Sequence, residues 1–331
     1  MWIHKYALHA KGPLNAKSDQ TARIGFFIKD SRYSDKNDPI KNFLQLSDFI
    51  HWPELGDPEL KNLKSFLMEL AQKEIDYPFS LTEKDLAPVK SNALVNTFTP
   101  QLGETLEQLK ESGFDVVKFK MGRQFESEFK SLMQMNLSHF HLRVDLNSNF
   151  NFKESKEVLE MLKKIPNLEY VEDPLPYHDY YWSELQKITP LALDNLGSSE
   201  VKNPKNFDYR IIKPMRGFSI DQLLQMTYEK KKIVLTNMMD NVIGAWKTYL
   251  YYCELKKHLP YHLCTPGFHT HTLFADYELE HLLSFSGAQW TYDKDTLQNL
   301  TKTILGLSWL ELKYTDSIGL DKVIQDSESY R

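Results

Sequence analysis

Between residues 92 and 264, short apolar segments alternate with amphipathic ones. The amphipathic segments have the helical period; in 152–164 and the residue that follows, for example, Val158, Leu162 and Ile165 fall on one face. The apolar segments are short enough to be buried strands. They comprise residues 93–97, 115–120, 141–145, 168–172, 191–194, 209–212, 232–235 and 261–264. Eight strands separated by helices predict an α/β fold, a parallel barrel, with an open doubly wound sheet as the alternative.

The first 90 residues do not follow this alternation. Residues 24–28 have the pattern of a strand, and residues 62–73 have the helical spacing of apolar side chains. Residues 44–55, which lie between them, are aromatic and resemble a loop. The pattern predicts a separate α+β domain that ends near residue 90, where proline and small polar residues interrupt both periods.

Composition excludes several classes of protein. The 331 residues are 41% hydrophobic and 26% charged with a net charge of −5, which gives no general attraction for nucleic acid. No apolar stretch is long enough to cross a membrane and the amino terminus does not resemble a signal peptide, so we expect a cytoplasmic protein. The two cysteines, Cys253 and Cys264, have no metal-binding spacing and are expected to be buried thiols. The glycine-rich motifs for dinucleotides and nucleoside triphosphates are absent from the sequence.

A charged residue ends or directly follows each of five consecutive predicted strands. These residues are Lys120, Asp145, Glu172, Asp194 and Lys213, spaced by about one strand and one helix each. In a parallel barrel, all five would meet at the carboxyl-terminal rim, where such folds carry their active sites. The three carboxylates form an all-oxygen ligand set, which favours Mg²⁺ over zinc. Taken singly, each carboxylate could instead cap a helix or pair with a lysine.

The lysines suggest proton transfer next to this cation site. Lys118 and Lys120 are two residues apart on one strand, so they face the same side, as do Arg143 and Asp145. A carbon acid beside a carboxylate loses its proton at neutral pH only if cations stabilise the enediolate. A lysine next to another ammonium and a metal ion loses its own proton more readily, and could act as the general base.

With these residues in place, the sequence resembles the enolase superfamily, in its muconate-lactonizing-type branch, and most closely its o-succinylbenzoate synthase family. The resemblance covers most of the chain and rests on short motifs. These are Lys118-Phe119-Lys120-Met121-Gly122, Arg143-Val144-Asp145-Leu146-Asn147, Val171-Glu172-Asp173-Pro174, Lys213-Pro214 with Gly217, and Thr265-Pro266-Gly267. Use of a lysine base with Mg²⁺ is a general property of that superfamily.

The resemblance implies a modified (β/α)7β TIM barrel at residues 91–289. An α+β capping domain would comprise residues 1–90, together with the tail at about 290–331. Asp145, Glu172 and Asp194 would bind Mg²⁺. Lys120 would be the acid/base, assisted by Lys118, and Lys213 would stabilise the enolate. The expected contacts to a small-molecule carboxylate substrate are Arg143, Asn147, Asn237 and Gly267.

The resemblance implies a lyase that dehydrates 2-succinyl-6-hydroxy-2,4-cyclohexadiene-1-carboxylate to 2-succinylbenzoate in menaquinone biosynthesis. Racemisation of N-succinylamino acids, or another epimerisation by the lysine pair, is the main alternative. Dipeptide epimerases are disfavoured because residues 264–268 contain no carboxylate to hold a substrate ammonium. A catalytically inactive binding protein is a third possibility, disfavoured by retention of the whole charge cluster.

Two positions depart from the pattern of the family. Asn195 follows Asp194 where an acidic residue is common, and Thr236-Asn237-Met238 replaces a serine-rich strand end. His269 and His271 have the spacing of metal ligands, but no acidic or third histidine neighbour in the sequence completes the set, so we interpret them as part of a polar loop.

Overall fold

A computed structural model describes residues 1–12, 14, 20–29, 39–53, 57–59, 63, 65–67, 81–194, 204–216, 230–275 and 279–311. Asn195 and Gly217 lie outside these ranges. Residues 63 and 65–67, from the helix predicted at 62–73, are helical. The proposed domain limits near residues 90 and 290 stay predictions.

The amino-terminal region forms an antiparallel sheet in the order β14-β1-β2-β3. Its strands are β1 (Trp2–His9), β2 (Ala22–Lys29), β3 (Leu46–Ile50) and β14 (Leu310–Glu311). A short helix, α1 (Pro39–Leu44), precedes β3. Because β14 pairs with β1, a segment near the carboxyl end of the described chain joins the amino-terminal sheet.

The loop expected at residues 44–55 is wrong over its central part, which is strand β3. All five residues of this strand are buried, including Ser47 and Asp48, so the alternation that marks a half-exposed strand is missing. Polar residues in a run without alternation resemble a loop in sequence. Here they face a buried interface, where one oxygen of Asp48 accepts a hydrogen bond from the main-chain nitrogen of Gly244 (3.2 Å).

The prediction of a parallel α/β barrel is confirmed. Seven parallel strands form one sheet in the order β11-β10-β9-β8-β7-β6-β5. They are β5 (Ala93–Val95), β6 (Val116–Lys120), β7 (His141–Asp145), β8 (Leu168–Glu172), β9 (Leu191–Leu193), β10 (Tyr209–Ile212) and β11 (Lys232–Leu235). Each lies within one or two residues of a predicted strand.

The segment predicted as the eighth strand closes the ring without forming a continuous strand. Residues 262–267 run parallel to β11 through isolated bridges, Ile233 to Leu263 and Thr236 to Gly267. On the other side, the main-chain nitrogen of Asn92, just before β5, donates to the carbonyl of Pro266 (2.8 Å). Strands β6 and β10 are therefore four positions apart around an eight-membered ring, on opposite walls.

Helices cover the outside of the barrel and connect it to the amino-terminal sheet. They are α2 (Leu102–Glu111), α3 (Phe125–Met133), α4 (Phe152–Leu162), α5 (Asp179–Leu185), α6 (Val242–His258) and α7 (Lys294–Leu305). Fourteen residues of α6, from Val242 to Leu255, are buried, and the apolar ones pack in one cluster with the amino-terminal sheet. Among the helices in the described ranges, none is long and apolar enough to cross a bilayer.

A small antiparallel sheet lies beside the start of the barrel. It joins β4 (Val89–Lys90), β13 (Gln289–Trp290) and β12 (Phe285–Ser286). The hydroxyl of Ser91 accepts hydrogen bonds from the main-chain nitrogens of Phe268 (2.9 Å) and His269 (3.3 Å). The chain just before β5 is thereby fixed to the chain that leaves the closing segment.

Candidate active site

Strand register brings Lys120, Asp145 and Glu172 together at the carboxyl-terminal rim. Lys120 pairs with Asp145 across β6 and β7, and Asp145 pairs with Glu172 across β7 and β8. Since parallel strands in register point equivalent side chains to the same side, the three side chains converge in the barrel mouth. The charged strand ends seen in the sequence are neighbours in space.

The ammonium of Lys118 lies between two carboxylates. Its Nζ is 3.0 Å from Oδ2 of Asp145 and 2.6 Å from Oε1 of Glu172. Burial alone would lower the pKa of Lys118, but the charges of Asp145 and Glu172 outweigh burial and raise the pKa well above its usual value. Lys118 therefore keeps its proton and its positive charge at neutral pH.

The Nζ of Lys120 also contacts Asp145, at 3.2 Å from Oδ2. Burial opposes ionisation of Asp145, but Lys118 and Lys120 together hold its pKa far below the usual range. Asp145 is therefore a carboxylate across the whole neutral range. Its other oxygen, Oδ1, accepts a hydrogen bond from the main-chain nitrogen of Asn147 (3.1 Å).

Glu172 is the most deeply buried of the acidic groups at the rim, with 1% of its surface exposed. Burial and then the neighbouring Asp145 charge raise the pKa of Glu172 to about 8, although Lys118 acts against them. Its Oε2 is buried and has no hydrogen-bond partner among the described residues. An acceptor oxygen in this state is suited to a further cation.

Asp194 and Lys213 form a second ion pair at the rim, between the chain ends that follow β9 and β10. The main-chain nitrogen of Asp194 donates to Oδ1 of Asp173 (3.1 Å), which follows Glu172 directly. Asp173 itself has φ 42°, so the turn after β8 is left-handed. The aspartate of the Glu-Asp-Pro motif, Asp173, thus fixes the main chain of Asp194, which carries the third carboxylate.

The donor set fits a hard divalent cation. Asp145 and Glu172 already share one cation, the Lys118 ammonium, and Glu172 retains one unpartnered oxygen. Among the described residues, no group of three acidic, histidine or cysteine side chains is arranged as a complete metal site. Asp194 would have to exchange part of its contact with Lys213 for the metal ion.

Arg143, a predicted substrate contact, lies in the barrel interior, two residues below Asp145 on the same face of β7. It is fully buried, and it donates to Oε2 of Glu169 (2.7 Å), Oδ1 of Asn92 (3.0 Å) and the carbonyl of Thr265 (2.7 Å). Its guanidinium also lies over the Tyr170 ring. These contacts span the ring, so we infer that Arg143 organises the barrel interior.

Asn237 and Gly267 are likewise engaged within the fold. The amide of Asn237 donates to the carbonyl of Phe268 (3.1 Å), and its oxygen accepts from the hydroxyl of Thr270 (3.0 Å). A Cβ on Gly267 would lie 3.0 Å from Oδ1 of Asn92, so the close approach at this turn favours glycine. Both residues shape the rim, and their contact with the substrate stays a prediction.

Asn147 lies where a substrate contact is expected. It follows Asp145 by two residues in a left-handed conformation, with φ 50°, which asparagine tolerates better than most residues. Its Nδ2 is buried without a hydrogen-bond partner among the described residues. Asn147 therefore has a free donor near the carboxylates.

His269 and His271 lie in an aromatic cluster, with their ring centroids 4.5 Å apart and both packed on Phe285. Burial lowers the pKa of His269 to about 3 and that of His271 to about 4. The two imidazoles are neutral and lie edge to face with each other, and only His271 stacks on Phe285, so the expected polar loop is lined by aromatic rings. The side chain of Glu280 lies 3.5 Å from His271.

Sequence reasoning missed the contacts between the amino-terminal region and the chain after Lys213. Nη2 of Arg216 donates to Oδ2 of Asp57 (2.9 Å) and to the carbonyl of Ile50 (3.1 Å). The guanidinium also lies over the Phe49 ring, 4.6 Å from its centroid. The signal available in the sequence was position alone, since Arg216 comes three residues after Lys213.

Family comparisons agree with this geometry. A family profile described as "Enolase C-terminal domain-like" matches residues 101–200. A second, described as "O-succinylbenzoate synthase, N-terminal domain", matches residues 1–84. Together the two matches span more than half of the chain. The chain belongs to the enolase superfamily.

A curated relative matches nearly the whole of this chain. It is an o-succinylbenzoate synthase from Bdellovibrio bacteriovorus, 27% identical over 328 residues, which cover 93% of this chain and 97% of that protein. The comparisons confirm the expectation of an enolase-superfamily enzyme related to o-succinylbenzoate synthases.

Solved structures confirm the fold. The L-Ala-D/L-Glu epimerase of Bacillus subtilis superposes with a TM-score of 0.66 at 12% identity, over 88% of this chain and 95% of its own. MenC from Desulfotalea psychrophila gives 0.64 at 13% identity, over 88% and 98%. A dipeptide epimerase from Enterococcus faecalis, complexed with Mg and a dipeptide, gives 0.63 at 11% identity, over 88% and 96%.

Proposed function

We propose that the protein is a Mg²⁺-dependent o-succinylbenzoate synthase of the cytoplasm. It would dehydrate 2-succinyl-6-hydroxy-2,4-cyclohexadiene-1-carboxylate to 2-succinylbenzoate in menaquinone biosynthesis. The observation that carries the proposal is the position of Lys120 beside Asp145 and Glu172, with Lys213 on the opposite wall of the barrel. The amino-terminal match supports this substrate over others used on the same fold.

Lys120 would act first as the base. In its neutral form it takes the proton from the ring carbon that bears the carboxylate, and the electron pair of the C–H bond moves into the carboxylate to form an enediolate. Lys118 and Lys213 are cations at the rim that stabilise this negative charge. Asn147, with its free amide donor, would orient the substrate carboxylate.

Lys120 would then act as the acid. The enediolate electrons form the new ring double bond, the C–O bond to the hydroxyl breaks, and the Lys120 ammonium returns its proton to the departing oxygen. The products are water and an aromatic ring, so the step is favourable and needs no other acid. A single lysine on one face therefore completes a syn elimination.

Asp145, Glu172 and Asp194 would hold the Mg²⁺ ion. When bound, the ion supplies a Lewis acid that stabilises charge on the substrate carboxylate. The unpartnered oxygen of Glu172 and the low pKa of Asp145 support this assignment.

Racemisation of N-succinylamino acids is the second candidate. It is favoured by the two lysines on opposite walls, since proton exchange on both faces of a carbon needs one on each side. Such a substrate has no free ammonium, so the absence of a carboxylate at residues 264–268 does not exclude it.

The proposal is tested by turnover of the cyclohexadiene carboxylate, followed as the absorbance change on aromatisation. We expect activity with Mg²⁺, loss of activity in EDTA and recovery when Mg²⁺ is restored. Lys120→Ala should lower kcat by at least about 10²–10⁴-fold, because general acid–base catalysis is lost. Lys90→Ala, which removes an exposed lysine paired with Asp115 before β6, is the control and should keep full activity. Full activity in EDTA, or in Lys120→Ala, would contradict the proposal.

A further inference from the structure

The chain turns sharply just after Lys120. Met121 donates its main-chain N–H to the carbonyl of Asp145 (3.0 Å), and Gly122 has φ 107°. A side chain at Gly122 would be strained, and its Cβ would lie 3.3 Å from the Phe150 ring. The position of the Lys120 main chain therefore depends on what fixes this turn.

Glu128, on α3, is bonded to the turn through both carboxylate oxygens. Its Oε2 accepts from the N–H of Gly122 (2.7 Å), and its Oε1 accepts from the N–H of Gln124 (3.2 Å). The residue is only 8% exposed and occupies a position of the buried face of α3, between Phe125 and Leu132. An unpaired carboxylate would be costly at such a position, so the two hydrogen bonds account for its presence there.

Asn149 holds the other side of the same residue. Its Nδ2 donates to the carbonyl of Gly122 (2.6 Å), so both the N–H and the C=O of Gly122 are held by side chains. Asn149 follows Asp145 by four residues, in the loop after β7. The turn after the base is thereby fixed to the loop after the first carboxylate.

We propose that Glu128 is a positioning residue for Lys120. Together with Asn149 it fixes the 121–124 turn, and so holds the Lys120 ammonium 3.2 Å from Asp145, at the place where a proton must be taken and returned. Glu128 does not touch Lys120 and would act through the main chain. The inference rests on the proposed acid/base role of Lys120.

Glu128→Gln is the most direct test. Glutamine keeps the shape of the side chain but has one acceptor oxygen, so its NH₂ group would face one of the two N–H donors. We expect kcat to fall about 10- to 100-fold, since displacement of a reacting group by about 1 Å has effects of that size, with KM within about twofold of wild type. Hydrogen exchange at Gly122 and Gln124 should become faster.

Asp208→Asn is the matched control. The Asp208 carboxylate likewise accepts a hydrogen bond from a main-chain N–H, that of Leu191 (2.9 Å), but at the amino-terminal ends of β9 and β10. The Asp208→Asn variant should lower the melting temperature about as much as Glu128→Gln does, and it should leave kcat unchanged. Asn149→Ala provides a second variant at an exposed position and should lower kcat in the same direction, whether or not Glu128→Gln folds.

Two results would overturn the positioning role of Glu128. A Glu128→Gln enzyme that melts earlier but keeps the wild-type kcat would overturn it, because Glu128 would then be structural only. If wild type is inactive on the cyclohexadiene carboxylate, the proposed function fails first. The variants are then compared by exchange of the α-proton of an N-succinylamino acid and by hydrogen exchange at Gly122, and wild-type values in both would overturn the positioning role.

Discussion

The three lysines at the rim differ in the carboxylates that they contact, and we expect them to differ in function for that reason. Lys118 touches two carboxylates, and the rise in its pKa keeps it charged. Lys120 touches one carboxylate, and Lys213 pairs with Asp194 on the opposite wall. Only Lys120 is proposed to move protons in dehydration, whereas racemisation would need Lys213 as well.

Lys213→Arg separates these two reactions. Arginine keeps the positive charge and can pair with Asp194, but it does not give up a proton at working pH. We expect the variant to retain measurable dehydration and to lose all racemisation. Initial rates of aromatisation and of α-proton exchange in deuterated water measure the two. A variant as inactive in dehydration as Lys120→Ala would show that Lys213 also transfers a proton.

The partly buried His269 predicts how the stability of the protein depends on pH. The pKa of His269 falls from its usual 6.5 to about 3 because of burial and the neighbouring His271. As the pH falls below about 6.5, His269 therefore takes up a proton in the unfolded chain but not in the folded one. The free energy of unfolding should fall over the same range. The slope is at most about 1.4 kcal/mol per pH unit for one group.

Denaturant unfolding between about pH 6.5 and 5 measures this slope. His269→Phe should be less sensitive to pH than wild type, because one group that titrates only in the unfolded chain is removed. His139→Gln, at an exposed position, is the control and should keep the wild-type slope. An unchanged slope in His269→Phe would mean that His269 is protonated in the folded protein.

At the scale of elements, the amino-terminal sheet is attached to the barrel close to the proposed chemistry. Asp57 pairs with Arg216, three residues after Lys213, and accepts a hydrogen bond from the main-chain nitrogen of Trp52 (2.6 Å). The side chain of Asp57 is 9% exposed. This pair therefore connects the two regions through a largely buried contact.

Asp57→Asn should lower the free energy of unfolding by about 1–3 kcal/mol, because Arg216 would lose the charge of its main partner. Glu107→Gln breaks an exposed pair with Lys110 and should change stability by less than about 0.5 kcal/mol. Equilibrium denaturation of both variants makes the comparison. Equal effects would show that the contact between Asp57 and Arg216 contributes no more than a surface ion pair.

Elements of the barrel could be predicted where burial leaves a simple pattern. Strands β6, β7 and β8 are short segments with apolar residues that each end at a charged residue, so they are visible in the sequence almost to the residue. Strand β3 is not, because Ser47 and Asp48 are polar yet buried, where they accept hydrogen bonds from α6. The bounds of helix α5 could not be predicted for a different reason, because its seven residues are too few to display a helical period.

The site shows the same limit. Lys120, Asp145 and Glu172 could be predicted because each ends a strand, and strand register alone brings them together. Glu128 could not, since a glutamate on an amphipathic helix looks solvent-exposed until the fold places the 121–124 turn over it. The contacts of Arg143 across the ring depend equally on barrel closure.

For the whole molecule, the closed ring matters more than any single motif. Closure through residues 262–267 puts β6 and β10 on opposite walls, and the three carboxylate-bearing strand ends lie between them along one side. A substrate in the mouth would therefore have one lysine on each face. This symmetry makes both dehydration and racemisation feasible on one scaffold, and the choice between them depends on the substrate.

The most direct test of the account measures both reactions on one preparation of the protein. Purified enzyme with Mg²⁺ is given the cyclohexadiene carboxylate, and aromatisation is followed by absorbance. In parallel it is given N-succinylamino acids in deuterated water, and α-proton exchange is followed by NMR. We predict that dehydration is the faster reaction and stops in EDTA. Brisk α-proton exchange without aromatisation would contradict the account and make the protein a racemase.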